Sequence, residues 1–351
     1  MFEILITICL SGAPECSDRL IPVAAPDSAT CEAGRERVAA DWAAAHDTLT
    51  VSSARCLSPE EVAAAVPPLL VEEVADGVFV HTGLHAIPSR QNRGDLANIG
   101  FVIGADAVAV IDAGGSYWVA QGLYAAIRAR TDLPIRYLFL THMHPDHVLG
   151  ADLFRRAGAE VIGHANLPDA LANRAGRYQA VLSEMMGAAA YLGSTLVAPD
   201  RAAQPGQVFD LGGRTVITQS YPTAHTDNDL TVLDPATGTL FAGDLVFAGH
   251  TPALDGSILG WQAVLDDMAM ADVARVVPGH GPASLAWPAG GDPVRGYLAA
   301  LTEEVRAAIE RGESMRSAID HLGESQRGDW QLFDEFNPRN ATAAFKELEW
   351  E

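Results

Sequence analysis

Lysine is almost missing from this 351-residue chain, and cysteine is scarce. Lys346 stands alone, and 23 basic residues face 45 acidic ones for a formal charge of -22. Such a surface repels phosphate backbones, which excludes nucleic acid as an expected partner. No apolar run reaches the roughly 18 to 20 residues that span a bilayer, so no membrane segment is expected. The apolar run at 4–10 is short for a signal peptide, and Glu3 replaces the basic start of one. No Gly-x-Ser-x-Gly elbow occurs, leaving covalent serine catalysis without a visible candidate. The four cysteines, Cys9, Cys16, Cys31 and Cys56, all lie early and match no paired Cys-x-x-Cys knuckle. Two disulfides, with three possible pairings, would imply an oxidising compartment such as the periplasm; separate buried thiols would imply the cytoplasm.

What the chain does have begins with a small α/β unit over 1–66: a strand at 2–10, a Pro-containing loop, a helix at 33–46 and a strand at 49–55. Val66-Pro67-Pro68 is a stiff connector, since neither proline can continue a helix or donate to a strand ladder. Strands follow at 71–74, 78–82, 99–103 and 107–111, then a helix at 117–130 and a strand at 135–140. Helical periodicity recurs near 147–157 and over 167–191, with a short strand at 160–163 between them. A second run of strands covers 208–211, 214–220, 230–233 and 240–242. The tail is helical over 296–312 and 315–321 and ends in an acidic, aromatic-bearing segment, 330–351, expected to pack as a helix with a solvated end.

The chemistry concentrates at Thr141-His142-Met143-His144-Pro145-Asp146-His147-Val148-Leu149-Gly150. Three histidines and an aspartate within six positions have little use in packing, because each would need its own buried partner. His142 and His144 are two apart at a strand end and point the same way, while Asp146 and His147 follow where the chain turns. Imidazole with carboxylate suits zinc, iron or manganese. His225, Asp244 and His280 each follow an expected strand and are the further ligand candidates. The glycines flanking His280 would let backbone approach a crowded centre.

In that order and at those intervals, these residues resemble the metallo-β-lactamase superfamily over 71–282. The resemblance implies a four-layer αβ/βα sandwich at 71–296, carrying the 1–66 module and a packing helical tail at 297–351. It also implies that His142, His144 and His225 hold one metal, that Asp146, His147 and His280 hold the other, and that Asp244 bridges. Asp112 resembles the aspartate that steadies a ligand histidine. Lactamases of the commonest kind carry cysteine at the position of Asp244, so a lactamase is disfavoured; the Asp form resembles glyoxalase II and lactonases, but the tail shows no basic set for glutathione. The stretches Asp95-Leu96-Ala97-Asn98-Ile99-Gly100-Phe101, 141–150 and Ala224-His225-Thr226-Asp227-Asn228-Asp229-Leu230 look most like the zinc metallohydrolases of quinoprotein relay and sulfur-oxidation systems.

The expected activity is therefore hydrolysis of an ester, thioester, lactone or amide-like bond in a small-molecule substrate. Two Zn2+ would ionise the water between them, since one zinc already lowers a bound water's pKa from about 15.7 to about 7. Asp146 and Asp244 would offset part of the metal charge. His250, Asp255, Ser257 and Trp261 are expected in a substrate-lining loop, 85–98 as a flap, and His81, His85 and His164 as structural residues. Two other readings are a mononuclear iron sulfur dioxygenase of the same fold and a non-catalytic metalloprotein that binds a partner through 1–66. The sequence specifies no oligomeric state.

Overall fold

The computed structural model describes residues 1–12, 15–46 and 48–351. The chain opens with β1 (Phe2–Leu10), β2 (Cys16–Ala25), α1 (Ser28–Ala44), β3 (Leu49–Leu57) and α2 (Pro59–Ala65). The strands form an antiparallel sheet in the order β2-β1-β3. The segment 16–25, expected as part of a Pro-containing loop, is thus a strand; Pro22 is tolerated there because β2 is the sheet's edge and needs no donor on its open side. Cys9 pairs with Cys16 across the β1–β2 hairpin, and Cys31 with Cys56 between α1 and β3, each pair at disulfide-bonding distance.

The first large sheet collects β4 (Glu72–Ala75), β5 (Val78–His81), β6 (Ile99–Ile103), β7 (Val108–Ile111), β8 (Ile135–Phe139), β9 (Glu160–Gly163) and β10 (Arg201–Ala202), ordered from β10 down to β4. Its helices are α3 (Tyr117–Arg128), α4 (Pro145–Val148), α5 (Ala151–Arg156), α6 (Leu167–Met186) and α7 (Ala188–Tyr191). The helix expected over 167–191 breaks at Gly187, whose φ of 77° is closed to most side chains. The second sheet holds β11 (Gln207–Asp210), β12 (Thr215–Ser220), β13 (Leu230–Asp234), β14 (Thr239–Phe247), β15 (Arg275–His280) and β16 (Leu285–Ala286) in sequence order. Its helices are α8 (Ile258–Ala269), α9 (Asp292–Glu310), α10 (Met315–Ala318) and α11 (Phe333–Leu348). The division expected after residue 296 falls inside α9.

Strand alternation builds the layers. In β7, Val108 and Val110 face a core shared with α3, α5 and the N-terminal sheet, while Ala109 and Ile111 face the second sheet. In β14, Phe241 joins the core between the sheets and Leu240 and Ala242 turn to α8, α9 and α11. Strands buried on both faces read as continuous apolar runs, which explains Val108–Ile111. The result is the expected αβ/βα sandwich with helices outside two central sheets. The N-terminal sheet rests on its outer side, where Tyr117 donates to the Leu20 carbonyl at 2.7 Å and buried Arg19 donates through Nε to the Leu192 carbonyl at 2.6 Å. No helix among the described residues is long and apolar enough to cross a membrane.

Candidate metal centre

The strand ends of both sheets meet at one point. β8 delivers His142 and His144, and the first turn of α4 supplies Asp146 and His147. His225 follows β12, and His280 ends β15. Asp244 sits inside β14, which runs on to Phe247 instead of stopping at 242; a register shift against β15 between Phe241 and Gly243 marks the irregularity beside it. Gly279 is required here, because a Cβ on it would collide with the Asp244 carboxylate.

Two donor sets result, His142, His144, His225 and Asp244 in one and Asp146, His147 and His280 in the other, with the offered atoms of each set within 4.8 Å of one another. Asp244 stands between them. Its Oδ2 lies 3.5 Å from His142 Nε2 and from His225 Nε2, and 3.9 Å from His144 Nδ1. Its Oδ1 lies 3.1 Å from His147 Nε2 and 3.5 Å from His280 Nε2, and His280 Nε2 is 3.3 Å from Asp146 Oδ2.

The outward nitrogen of every histidine is tied down, which fixes its tautomer. His147 Nδ1 donates to Asp112 Oδ2 at 2.7 Å, His225 Nδ1 to the Ala253 carbonyl at 2.6 Å, and His280 Nδ1 to the Leu96 carbonyl at 3.1 Å. His142 Nδ1 donates to Thr141 Oγ1 at 3.0 Å, whose own proton goes to Asp112 Oδ2 at 2.8 Å. His144 is reversed: Nε2 donates outward to Asp255 Oδ2 at 3.3 Å, leaving Nδ1 inward. Asp112 holds this web from a left-handed backbone, φ 60°, at the end of β7, a conformation Asp tolerates better than most residues. The inward atoms His142 Nε2, His147 Nε2 and Asp244 Oδ1 are buried without a hydrogen-bond partner. Buried polar atoms left so are costly, and cations between the two sets would satisfy all three. The donor set therefore fits metal ions.

Electrostatics divide the ligands. Burial, then His147, pushes His142 down to about 4. Burial alone would also depress His144 and His280, but hydrogen bonds and charge from Asp244, with Asp255 in one case and Asp146 in the other, outweigh it and raise both to about 9. His147 is raised well above the ordinary value against the pull of burial, by Asp244 and Asp112.

The centre lies in a cleft of about 610 Å³. Residues Ala86, Ile87 and Pro88 of the 85–98 loop line it, as do Arg174, Tyr178 and Met186 of α6 and Phe336, Arg339 and Asn340 of α11. His250 and Asp255 also line it. Ser257 does not: it caps α8 and donates to Glu347 at 2.7 Å, while Trp261 is buried in the core with Nε1 donating to the Leu245 carbonyl. The substrate-lining loop expected to carry Ser257 and Trp261 is helical from Ile258, which moves both residues away from the cleft. His81 bridges Asp95 and the Leu70 carbonyl, and His164 Nδ1 accepts from the Asn166 amide, both local structural bonds. His85 packs edge-on against His250 with ring centroids 5.6 Å apart. Sequence reasoning missed Asn98, whose backbone N–H donates to the Gly279 carbonyl at 2.7 Å and whose side-chain amide donates to the Pro278 carbonyl at 2.9 Å, holding the His280 turn, and it missed α11 as a wall of the site. Asn98 carries no ligand pattern; only its place in the Asp95–Phe101 resemblance marked it.

A profile of the metallo-beta-lactamase superfamily matches residues 92–280, which include every donor of the two sets. The chain belongs to the metallo-beta-lactamase superfamily. Among solved structures, a metallo-beta-lactamase from Pontibacter korlensis is 20% identical, with a TM-score of 0.52 over 66% of this chain and 99% of its own. That likeness concerns the fold. TMB-1 matches at 20% identity and a TM-score of 0.49 over 67% of this chain and 98% of its own. A metallo beta lactamase from Hirschia baltica matches at 21% and 0.47 over 62% and 93%.

Proposed function

We propose that this superfamily member is a di-zinc hydrolase of small molecules bearing an ester, thioester, lactone or amide-like bond. The observation that carries the reading is Asp244, whose two carboxylate oxygens face two separate sets of inward imidazole nitrogens. In this reading His142, His144 and His225 hold one ion, Asp146, His147 and His280 the other, and Asp244 both. Bound divalent ions supply Lewis acidity and a water that ionises near neutral pH. The chain's own residues set the conditions. Asp146 and Asp244 offset part of the positive charge. Asp112, Thr141, Asp255 and the Ala253 and Leu96 carbonyls hold the imidazoles in the tautomers that present lone pairs inward. His250, lowered to about 4 by burial and by His280, is neutral at pH 7. Its Nδ1 donates to the Thr251 carbonyl, which leaves Nε2 as an acceptor for substrate.

Seven donors in two facing sets exceed the three of a mononuclear two-histidine, one-carboxylate iron site, which supports the dinuclear reading over a dioxygenase. The Asp95–Phe101, 141–150 and 224–230 stretches favour the quinoprotein relay and sulfur-oxidation branch. The paired cysteines favour an oxidising compartment such as the periplasm. The same reading takes neither nucleic acid nor membrane as partner, and treats 1–66 and the segment from α9 onward as additions to a hydrolase core that begins near 71. A screen of thioesters, esters, lactones and lactams with zinc-loaded protein tests it. Turnover of at least one class, lost on chelation and in His142→Ala, is expected; chelation-insensitive turnover, or none in any class, would refute it.

A further inference from the structure

The charges lining the cleft do not resemble those of the chain as a whole. Six charged side chains other than histidine line it: Asp146, Asp244, Asp255, Arg174, Arg177 and Arg339. All three carboxylates are committed. Asp146 and Asp244 face the histidine sets, and Asp255 takes His144 and, at 3.1 Å, Arg174. Arg177 and Arg339 remain, exposed and without a hydrogen bond or ion pair among the described residues. In a protein of net charge -22, the cleft is therefore lined by two uncompensated guanidiniums and no spare carboxylate.

Helix geometry explains why each lines the cleft. On α6, Arg174, Arg177 and Tyr178 stand at i, i+3 and i+4 and so lie on one face, with Leu182 and Met186 continuing that stripe one and two turns on. On α11, Phe336, Arg339 and Asn340 repeat the i, i+3, i+4 pattern. Each helix thus sets an arginine beside an aromatic ring in the same cleft. Ile87 and Pro88 of the 85–98 loop add further apolar surface. A ligand complementary to this lining has an apolar body and an oxyanion away from its reacting carbonyl. Guanidinium binds oxyanions through paired, charge-assisted hydrogen bonds, and a positive cleft in an acidic surface concentrates anions locally.

We propose that Arg177 and Arg339 form an anion subsite, and that the substrates are amphipathic molecules carrying a carboxylate or phosphate remote from the scissile bond. This rests on the hydrolase reading above for the word substrate, but the subsite itself is testable without turnover. Zinc-loaded full-length protein is titrated calorimetrically with 4-phenylbutanoate, 4-phenylbutyl phosphate and the neutral 4-phenylbutanamide. At least one anion should bind about tenfold or more tightly than the amide, and the preference should shrink with added salt. It should collapse to less than about twofold in Arg177→Gln/Arg339→Gln and persist in part in Arg177→Lys/Arg339→Lys, which keeps the charge should the Gln pair perturb packing. The carboxylate and phosphate arms identify which oxyanion fits. Equal binding of anions and amide overturns the proposal. So does a preference that survives the Gln pair, since the anion would then be seated on the metals. Failure of the substrate screen with an intact anion preference would count against hydrolysis alone.

Discussion

Asp255 Oδ2 lies 3.3 Å from His144 Nε2, and the same oxygen accepts from Arg174 Nη2 at 3.1 Å. One carboxylate on the loop before α8 therefore orients a metal-ligand candidate and anchors α6 across the cleft. The Ala253 carbonyl, two residues earlier, orients His225. Two of the three imidazoles in one donor set thus depend on a single short loop.

Asp255→Ala removes the acceptor that turns His144 Nδ1 inward. Lost partners of ligand histidines weaken metal binding by about 10- to 100-fold, and a loss in that range is expected in competition with a chromophoric chelator. Unchanged zinc affinity would show that His144 needs no such support.

The loop is held from behind by Asn340 on α11, which donates to the Pro252 carbonyl at 2.7 Å and accepts from the Leu254 amide at 2.9 Å. Asn340→Leu keeps the volume and leaves buried groups unpaired, so a loss of about 3 kcal/mol is expected in chemical denaturation. Loss of zinc affinity should accompany it, because the displaced loop orients His144 and His225.

Protons and metals compete for the centre. His144 and His280, raised to about 9, carry protons at pH 7 in the metal-free protein, and Asp244 and Asp112 raise His147 well above its ordinary value. Metal binding needs the neutral imidazoles, so loading should release protons and weaken as pH falls from about 9 toward 6. Calorimetry at pH 7 in buffers of different ionisation enthalpy reads the number released; zero would contradict the charge arrangement.

The Cys31–Cys56 link closes a loop of 25 residues, and Cys31→Ala/Cys56→Ala should cost about 2–4 kcal/mol in denaturant titrations. Breaking Cys9–Cys16, separated by 7 residues, should cost less, because a shorter loop removes less unfolded-chain entropy.

The ligand candidates were legible because histidine clusters have no economical place in a core and because each stood near the end of an apolar run. The sandwich was legible for a related reason: runs such as Val108–Ile111 announce strands buried on both sides. Local rules misled where the tertiary setting overrode them. The Pro-containing segment before α1 reads as a loop, but an edge strand accommodates Pro22. Ser257 reads as part of a substrate-lining loop, yet its hydroxyl caps a helix there, accepting from the Gly260 amide at 2.9 Å. The roles of Asp255, Asn340 and Arg174 left no pattern at all, since each depends on a contact to a residue more than 80 positions away.

In the proposed di-zinc centre Asp244 is shared by two cations. Elemental analysis of zinc bound per chain, after reconstitution and removal of excess metal, tests it most directly. The account predicts close to two ions per chain in the native protein and fewer than one in Asp244→Asn. One ion or none in the native protein, or two retained without the Asp244 carboxylate, would contradict it.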